Sequence, residues 1–371
     1  MATHEIRIDS SRPLAAEPGT GHNRWHPDIP PVVRCKPGDE VVMETRDAFD
    51  GQITRASTPA TVGKVDLGVV HPLTGPVHIE GAEPGDILVC EVLEVIPDRF
   101  GYTVQVPGFG FLRDDFPEPY IARWDIDREW AVSDDLPGVR VPGAPFMGTI
   151  GLAPSRGLME KITAREAALI GRGGFCLPPD AAGAVPAEAP IAGEALRTVP
   201  PRENVGNVDI KQLCAGARLL MPVWTQGALF SAGDAHFAQG DSETCGTAVE
   251  MRSTLRVRFD VRKGEAAARN IRDLRFQRDD YYARPEFAAP RRFFATTGMS
   301  IGRDGSNLSE DLTAAARNAL LNMIDHLTHE YSYSRQQAYA ICSVAVDLKV
   351  SELVDVPNFV VSAFLPLDIF V

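Results

Sequence analysis

Over roughly the first 270 residues the apolar positions fall in short runs at close spacing, broken by glycine and proline, as in an all-β sandwich or barrel. The clearest run is 254–261, where Leu255, Val257, Phe259 and Val261 share one face and Arg256, Arg258 and Asp260 the other. Side chains alternate along a strand, so this pattern predicts a half-exposed antiparallel strand. Two segments repeat a turn followed by a strand: Lys36-Pro37-Gly38-Asp39 leads into 40–45, and Glu83-Pro84-Gly85-Asp86 into 87–95. Proline presets φ at the second turn position and glycine supplies positive φ at the third, which predicts a type II turn before each strand. Further strands are expected at 101–106, 107–112, 148–152, 217–222 and 359–365, the last ended by Pro366. Residues 180–200, rich in Ala, Pro and Gly, read as a loop or flap.

Toward the C-terminus the period changes. Leu312, Ala315, Ala316, Ala319, Leu320, Met323, Ile324 and Leu327 recur at helical steps, with Ser309 as the candidate cap. Ser334 and Gln337 form a capping-box pattern before Ala338, Ile341, Cys342 and Ala345. The expected organisation is a β-rich body over 1–265 that carries the site. An α+β part over 266–371, with a helical hairpin, packs on that body.

Composition narrows the function classes. With 371 residues, 44% of them hydrophobic and 23% charged, the chain can bury a large core. Its 37 Lys+Arg against 50 Asp+Glu give a net charge of −13, which repels phosphate backbones and anionic membranes. No basic segment followed by an apolar one opens the chain, and no apolar stretch approaches the length of a bilayer span. A cytoplasmic protein is expected, with no nucleic-acid or membrane partner. The six cysteines lie far apart without a C-x-x-C pair, so they read as reduced, buried small hydrophobes.

Candidate chemistry concentrates in 203–209 and 227–246. In extended backbone Asp234 and His236 project to the same side, and Asp241 and Glu243 repeat that relation. One imidazole with several carboxylates suits a divalent metal such as zinc, with one carboxylate left over as a general base. Spacing alone equally suits a polar loop whose acids cap turns. Neither a G-x-S-x-G nucleophile elbow nor a glycine-rich phosphate loop is present.

The order E-N-x-G-N-x-D-I-K, then P-V-x-x-x-G-A-L-x-S-x-G-D-x-H-x-x-Q-G-D-x-E, then C-G-x-A-x-E-M resembles the acetamidase/formamidase family, and its formamidase branch most closely. The likeness extends to His22-Asn23-Arg24-Trp25-His26, to 44–52 and to 71–77. It implies a mainly β fold, an elaborated jelly-roll-like β-sandwich with the helical hairpin at its C-terminal end, and a homo-oligomer. It also implies hydrolysis of a short-chain amide, such as formamide or acetamide, to carboxylate and ammonia.

On this reading Asp209, Asp234 and His236 are the metal ligands and Glu243 is the general base. Asp47, Gln52, His71 and Asn207 are substrate-binding, with His71 alternatively a ligand. Zinc is the expected metal, and calcium the alternative. The loops 107–112 and 180–200 are candidate lids. Two positions depart from the family: Val205 and Ser242 stand where it usually has glycine, which puts a side chain at the expected pocket and leaves the amide open. A larger or cyclic amide is therefore a second reading. A non-catalytic β-sandwich module with a structural calcium is a third, against which His236 argues, since calcium prefers oxygen ligands. Glu243, Lys211 and Cys245 also invite a cysteine-amidase reading, but a nucleophilic thiol needs a neighbour that lowers its pKa, and none is evident.

Overall fold

The computed structural model describes residues 2–279 and 292–371. The chain is mainly β, and the long Ile87–Gln105 strand lies antiparallel to Glu250–Arg262 at its centre. From this pair a large sheet runs on one side through Tyr120–Ile126, Trp130–Val132 and Arg140–Pro142. On the other side it runs through Phe230–His236, Phe146–Leu152 and Val205–Asn207. Glu40–Thr45 pairs with Glu250–Arg262, and Leu73–Ile79 with Phe230–His236. Alternation drives this arrangement. Leu255, Val257 and Phe259 are buried, while Arg256 and Asp260 face solvent. Each fully buried side chain of this size contributes about 1.5–3 kcal/mol. Both Pro-Gly turns form as expected. Gly38 and Gly85 have φ of +91° and +95°, and Asp39 and Asp86 donate backbone N–H bonds to Lys36 and Glu83 at 3.0 Å.

Three expectations need correction. Residues 107–112 turn instead of extending, because Gly108 and Gly110 adopt φ of +80° and +95°. The helix Leu312–Tyr331 is capped by Asp311, whose side chain accepts from Ala314 N, and not by Ser309. An additional helix, Arg156–Ile170, follows the Phe146–Leu152 strand, with Ser155 as its cap. The 180–200 stretch is largely loop, but it holds the short helix Ile191–Glu194 and the strand Leu196–Arg197.

The second C-terminal helix, Arg335–Ala345, has the expected Ser334/Gln337 capping box. Phe293–Met299, Val360–Pro366 and Asp347–Glu352 form a separate three-stranded sheet with Val360–Pro366 in the middle. Gly298 lets this sheet approach Leu312–Tyr331 closely, since a Cβ there would lie 2.2 Å from Ala319 N. The largest core cluster runs without a break from the β body into both C-terminal helices. Of the six cysteines, only Cys176 is not buried. Among the described residues, no helix is long and apolar enough to cross a membrane.

Candidate active site

The Phe230–His236 strand pairs with Phe146–Leu152, setting Met147 opposite Ala235 and Thr149 opposite Gly233. Gly148, between them, therefore lies against the site. A Cβ on it would sit 2.6 Å from Asp209 Oδ1 and His236 Cε1 and 2.9 Å from Asp234 Oδ2. Asp234 is not extended; its φ of +58° kinks the strand, yet its carboxylate still meets His236 Nε2 at 3.5 Å. Asp209, at φ +48°, follows the Val205–Asn207 strand that pairs on the far side of Phe146–Leu152. Ligand atoms of Asp209, Asp234 and His236 lie within 4.8 Å of one another, as do those of His236, Glu243 and Glu250.

His236 is the hinge of both groups. Its Nδ1 is 2.9 Å from Gln239 Oε1, while Gln239 Nε2 donates to Asp209 O at 2.7 Å. An amide oxygen only accepts, so Nδ1 carries the hydrogen and Nε2 is turned toward the acids. There it faces Glu250 Oε1 at 3.2 Å, Asp234 Oδ1 at 3.5 Å and Glu243 Oε1 at 3.8 Å. Nε2 thus faces three carboxylates, an arrangement that either a proton on Nε2 or a bound cation relieves. Buried and without hydrogen-bond partners are His236 Nε2, Asp209 Oδ1, Glu250 Oε2 and His71 Nδ1. The unpartnered His236 Nε2, Asp209 Oδ1 and Glu250 Oε2, together with the anchored tautomer, fit a divalent metal.

The charges of the cluster perturb one another strongly. Burial pushes Asp209 up to about 8 and Glu250 up to about 7, each against the pull of His236. Glu243 is raised well above the carboxylate range by burial and by Asp209. Burial opposes charge on His236, but Glu250 and Asp234 outweigh it and hold the ring well above its ordinary value. For Asp234 burial is likewise outweighed, by His71 and His236, and its carboxyl lies below the usual range.

Of the expected substrate-binding residues, His71 and Asn207 line the cleft with Asp209, Asp234, Glu243 and Glu250. His71 Nε2 is 3.9 Å from Asp234 Oδ2. Asn207 is largely engaged, its Oδ1 2.7 Å from Thr149 Oγ1 and its Nδ2 donating to Val199 O at 3.1 Å. Asp47 and Gln52 lie outside this cleft. Asp47 accepts from Tyr102 OH at 2.6 Å and from Phe49 N and Gly51 N, and Gln52 bridges backbone at Phe49 and Asp66, so both hold a turn. The lid expected over 107–112 does line the cleft, through 107–111; of 180–200, Val199 does.

Asp241 and Glu243 do not share a face, because Ser242 and Glu243 have φ of +103° and +45° and the segment turns. Glu243 points to His236, whereas Asp241 faces Lys211 Nζ at 3.8 Å. The C-terminal part supports this turn. Gly240 N donates to Ser343 O at 2.9 Å, Asp241 N to Asp347 Oδ1 at 3.0 Å, Cys245 N to Ser343 Oγ at 3.0 Å, and Tyr339 OH to Thr244 O. Lys211 is bound to Asp347, away from Cys245, and burial pushes the Cys245 thiol up to about 11, the wrong direction for a nucleophile.

The two departures from the family also find a backbone reason. Val205 and Ser242 have φ of +73° and +103°, where glycine is favoured. Ser242 lines the cleft, but Val205 is buried in the main core, so only one of them puts a side chain at the pocket. Sequence reasoning missed two residues. Glu250 is the glutamate of the C-G-x-A-x-E-M stretch, which could have flagged it. Gly148 carries no local signal; only its pairing across the sheet reveals it.

Comparison with known proteins gives the same direction. Residues 7–371 match the model of the Acetamidase/Formamidase family. The chain is 36% identical to an acetamidase of Mycolicibacterium smegmatis over 367 residues, covering 90% of this chain and 87% of the relative. It is 35% identical to a formamidase of Methylophilus methylotrophus over 385 residues, covering 98% and 93%. The solved structure of a gamma lactamase from Delftia acidovorans superposes with a TM-score of 0.93 at 34% identity, covering 99% of this chain and 93% of that one. By its motifs, by the fold that brings them together and by similarity over nearly its full length, this chain belongs to the acetamidase/formamidase family.

Proposed function

We propose that the chain is a metal-dependent hydrolase of linear amides, releasing a carboxylate and ammonia, with formamide and acetamide as the smallest substrates its site can seat. The observation that carries this reading is the convergence of Asp209, Asp234 and His236 beside Glu243, with buried atoms left unpartnered at the wall of an open cleft. Asp209, Asp234 and His236 would hold the ion. When bound, a divalent metal supplies a Lewis acid for the amide carbonyl and acidifies water at the site.

The chain's own residues do the rest. Gln239 fixes the His236 tautomer through Nδ1, and Glu250, 3.2 Å from Nε2 and lining the same cleft, would offer the ion a further carboxylate oxygen. Glu243, which keeps contact with the cleft, takes the proton from water and delivers it to the departing nitrogen. The relative named as a gamma lactamase favours a second reading, in which the same residues open a cyclic amide.

The test is ammonia release from an amide panel before and after chelation, with a γ-lactam included and read by the new amine. Chelation is expected to abolish turnover and zinc to restore it. Glu243→Gln is expected to retain the metal by elemental analysis and to lose turnover by about two to four orders of magnitude. Full activity in the chelated protein would overturn metal dependence, and near wild-type turnover in Glu243→Gln would move the base elsewhere.

A further inference from the structure

The acid cluster occupies only part of the wall of a cavity of about 860 Å³. A water molecule takes about 30 Å³ in the liquid, and formamide or acetamide needs only roughly two to three times that. A short amide at the acids therefore leaves most of the cleft without an occupant, although the volume lies within the range of about 300–1,000 Å³ that suits larger organic ligands. The remaining wall is largely apolar, built chiefly by Phe49, Val104, Val106, Phe109, Phe175 and Leu177, with the Arg113 guanidinium 5.8 Å from the centre of the Phe175 ring.

This wall is fixed to the catalytic turn. Phe111 N donates to Thr244 O at 3.0 Å, and Phe109 lies so close to Gly246 that a Cβ there would be 2.6 Å from Phe109 Cδ1. Phe175, at the outer side, is 65% exposed, an unusual state for a phenylalanine facing a cleft. Phe109, Phe175, Leu177 and Val199 also border a second cavity of about 600 Å³, whose outer side carries Arg165, Glu166 and Arg172.

We infer that the preferred substrates carry a bulky apolar acyl group, aromatic or medium-chain alkyl, seated along the Phe109–Phe175 wall while the amide end meets the acids. The inference rests on the proposed amide hydrolysis. Because ammonia leaves, the nitrogen is unsubstituted and the bulk lies on the acyl side.

The test measures kcat/KM of the full chain supplied with zinc for acetamide, butanamide, hexanamide and 3-phenylpropanamide. Burial of each added methylene is expected to raise kcat/KM about threefold to fourfold, giving on the order of 100-fold between acetamide and hexanamide. Phe109→Ala and the exposed-site variant Phe175→Ala are expected to cut the hexanamide-to-acetamide ratio at least about tenfold. A wild-type ratio near or below one, or a ratio that neither variant changes, overturns the inference while leaving amide hydrolysis intact. If no amide turns over, the hydrolysis reading fails separately, and calorimetric titration with 3-phenylpropanoate and acetate decides. At least tenfold tighter binding of 3-phenylpropanoate, weakened in Phe175→Ala, supports the apolar cleft; equal binding overturns it.

Discussion

Asp209 and Lys211 are near neighbours along the chain, yet they belong to two buried charged clusters of opposite character. Lys211 binds Asp347 and approaches Asp241 at 3.8 Å; Asp347 also accepts from Asp241 N, and Asp241 from Gln212 Nε2 at 3.3 Å. Cation and acids answer one another within the chain. Asp209, by contrast, joins Asp234, Glu243, Glu250 and His236, a set with more carboxylates than imidazoles and with buried atoms left unpartnered. The first cluster fastens the C-terminal part to the body. The second is kept at a cost to the fold, which is the expected signature of a site that completes itself by binding.

The largest effect expected from breaking this contrast is in the closed cluster. Lys211→Met leaves the buried Asp347 with only the more exposed Lys349 at 3.9 Å and should destabilise the protein by up to about 3–5 kcal/mol in denaturant unfolding. A change under about 1 kcal/mol would show that solvent already compensates Asp347. In the open cluster, Gly148→Ala drives a methyl group against Asp209, His236 and Asp234 and should weaken metal binding about 10- to 100-fold, the range seen when residues around ligands are altered. Competition with a chelator of known affinity measures it, and unchanged affinity would place the ion away from Gly148.

The smallest effect has the opposite sign. Asp209→Asn removes a carboxylate that burial and the neighbouring acids disfavour; it should stabilise the metal-free protein by about 1 kcal/mol and lower the metal content of protein supplied with zinc. If unfolding shows a loss of stability instead, Asp209 is a structural residue and the contrast between the clusters fails.

How much of this was legible in the sequence depended on the range of the interactions. Alternation over 254–261, the Pro-Gly turns and the Ser334/Gln337 box are local, and each formed as read. Arg156–Ile170 escaped notice because only Leu158, Met159 and Ile162, near its start, are buried, leaving little periodicity along the rest. The 107–112 run looked like a strand because apolar content outweighed the two glycines that in fact turn it. In the site, Asp234 and His236 were legible as a pair on one strand. Glu243 converges with them by a turn at Ser242 that extended geometry does not give, Glu250 by pairing with His236 from the following strand, and Gly148 by strand pairing across a long stretch of chain.

The bonds from Ser343, Asp347 and Tyr339 to the 240–245 turn also set a schedule. Cys245 and its support at Ser343 are separated by 98 residues, so during synthesis Glu243 leaves the ribosome well before the residues that shape its turn. At typical elongation rates the interval is on the order of ten seconds. A nascent chain therefore already carries every acid of the site, but they come into working order only when translation has all but finished.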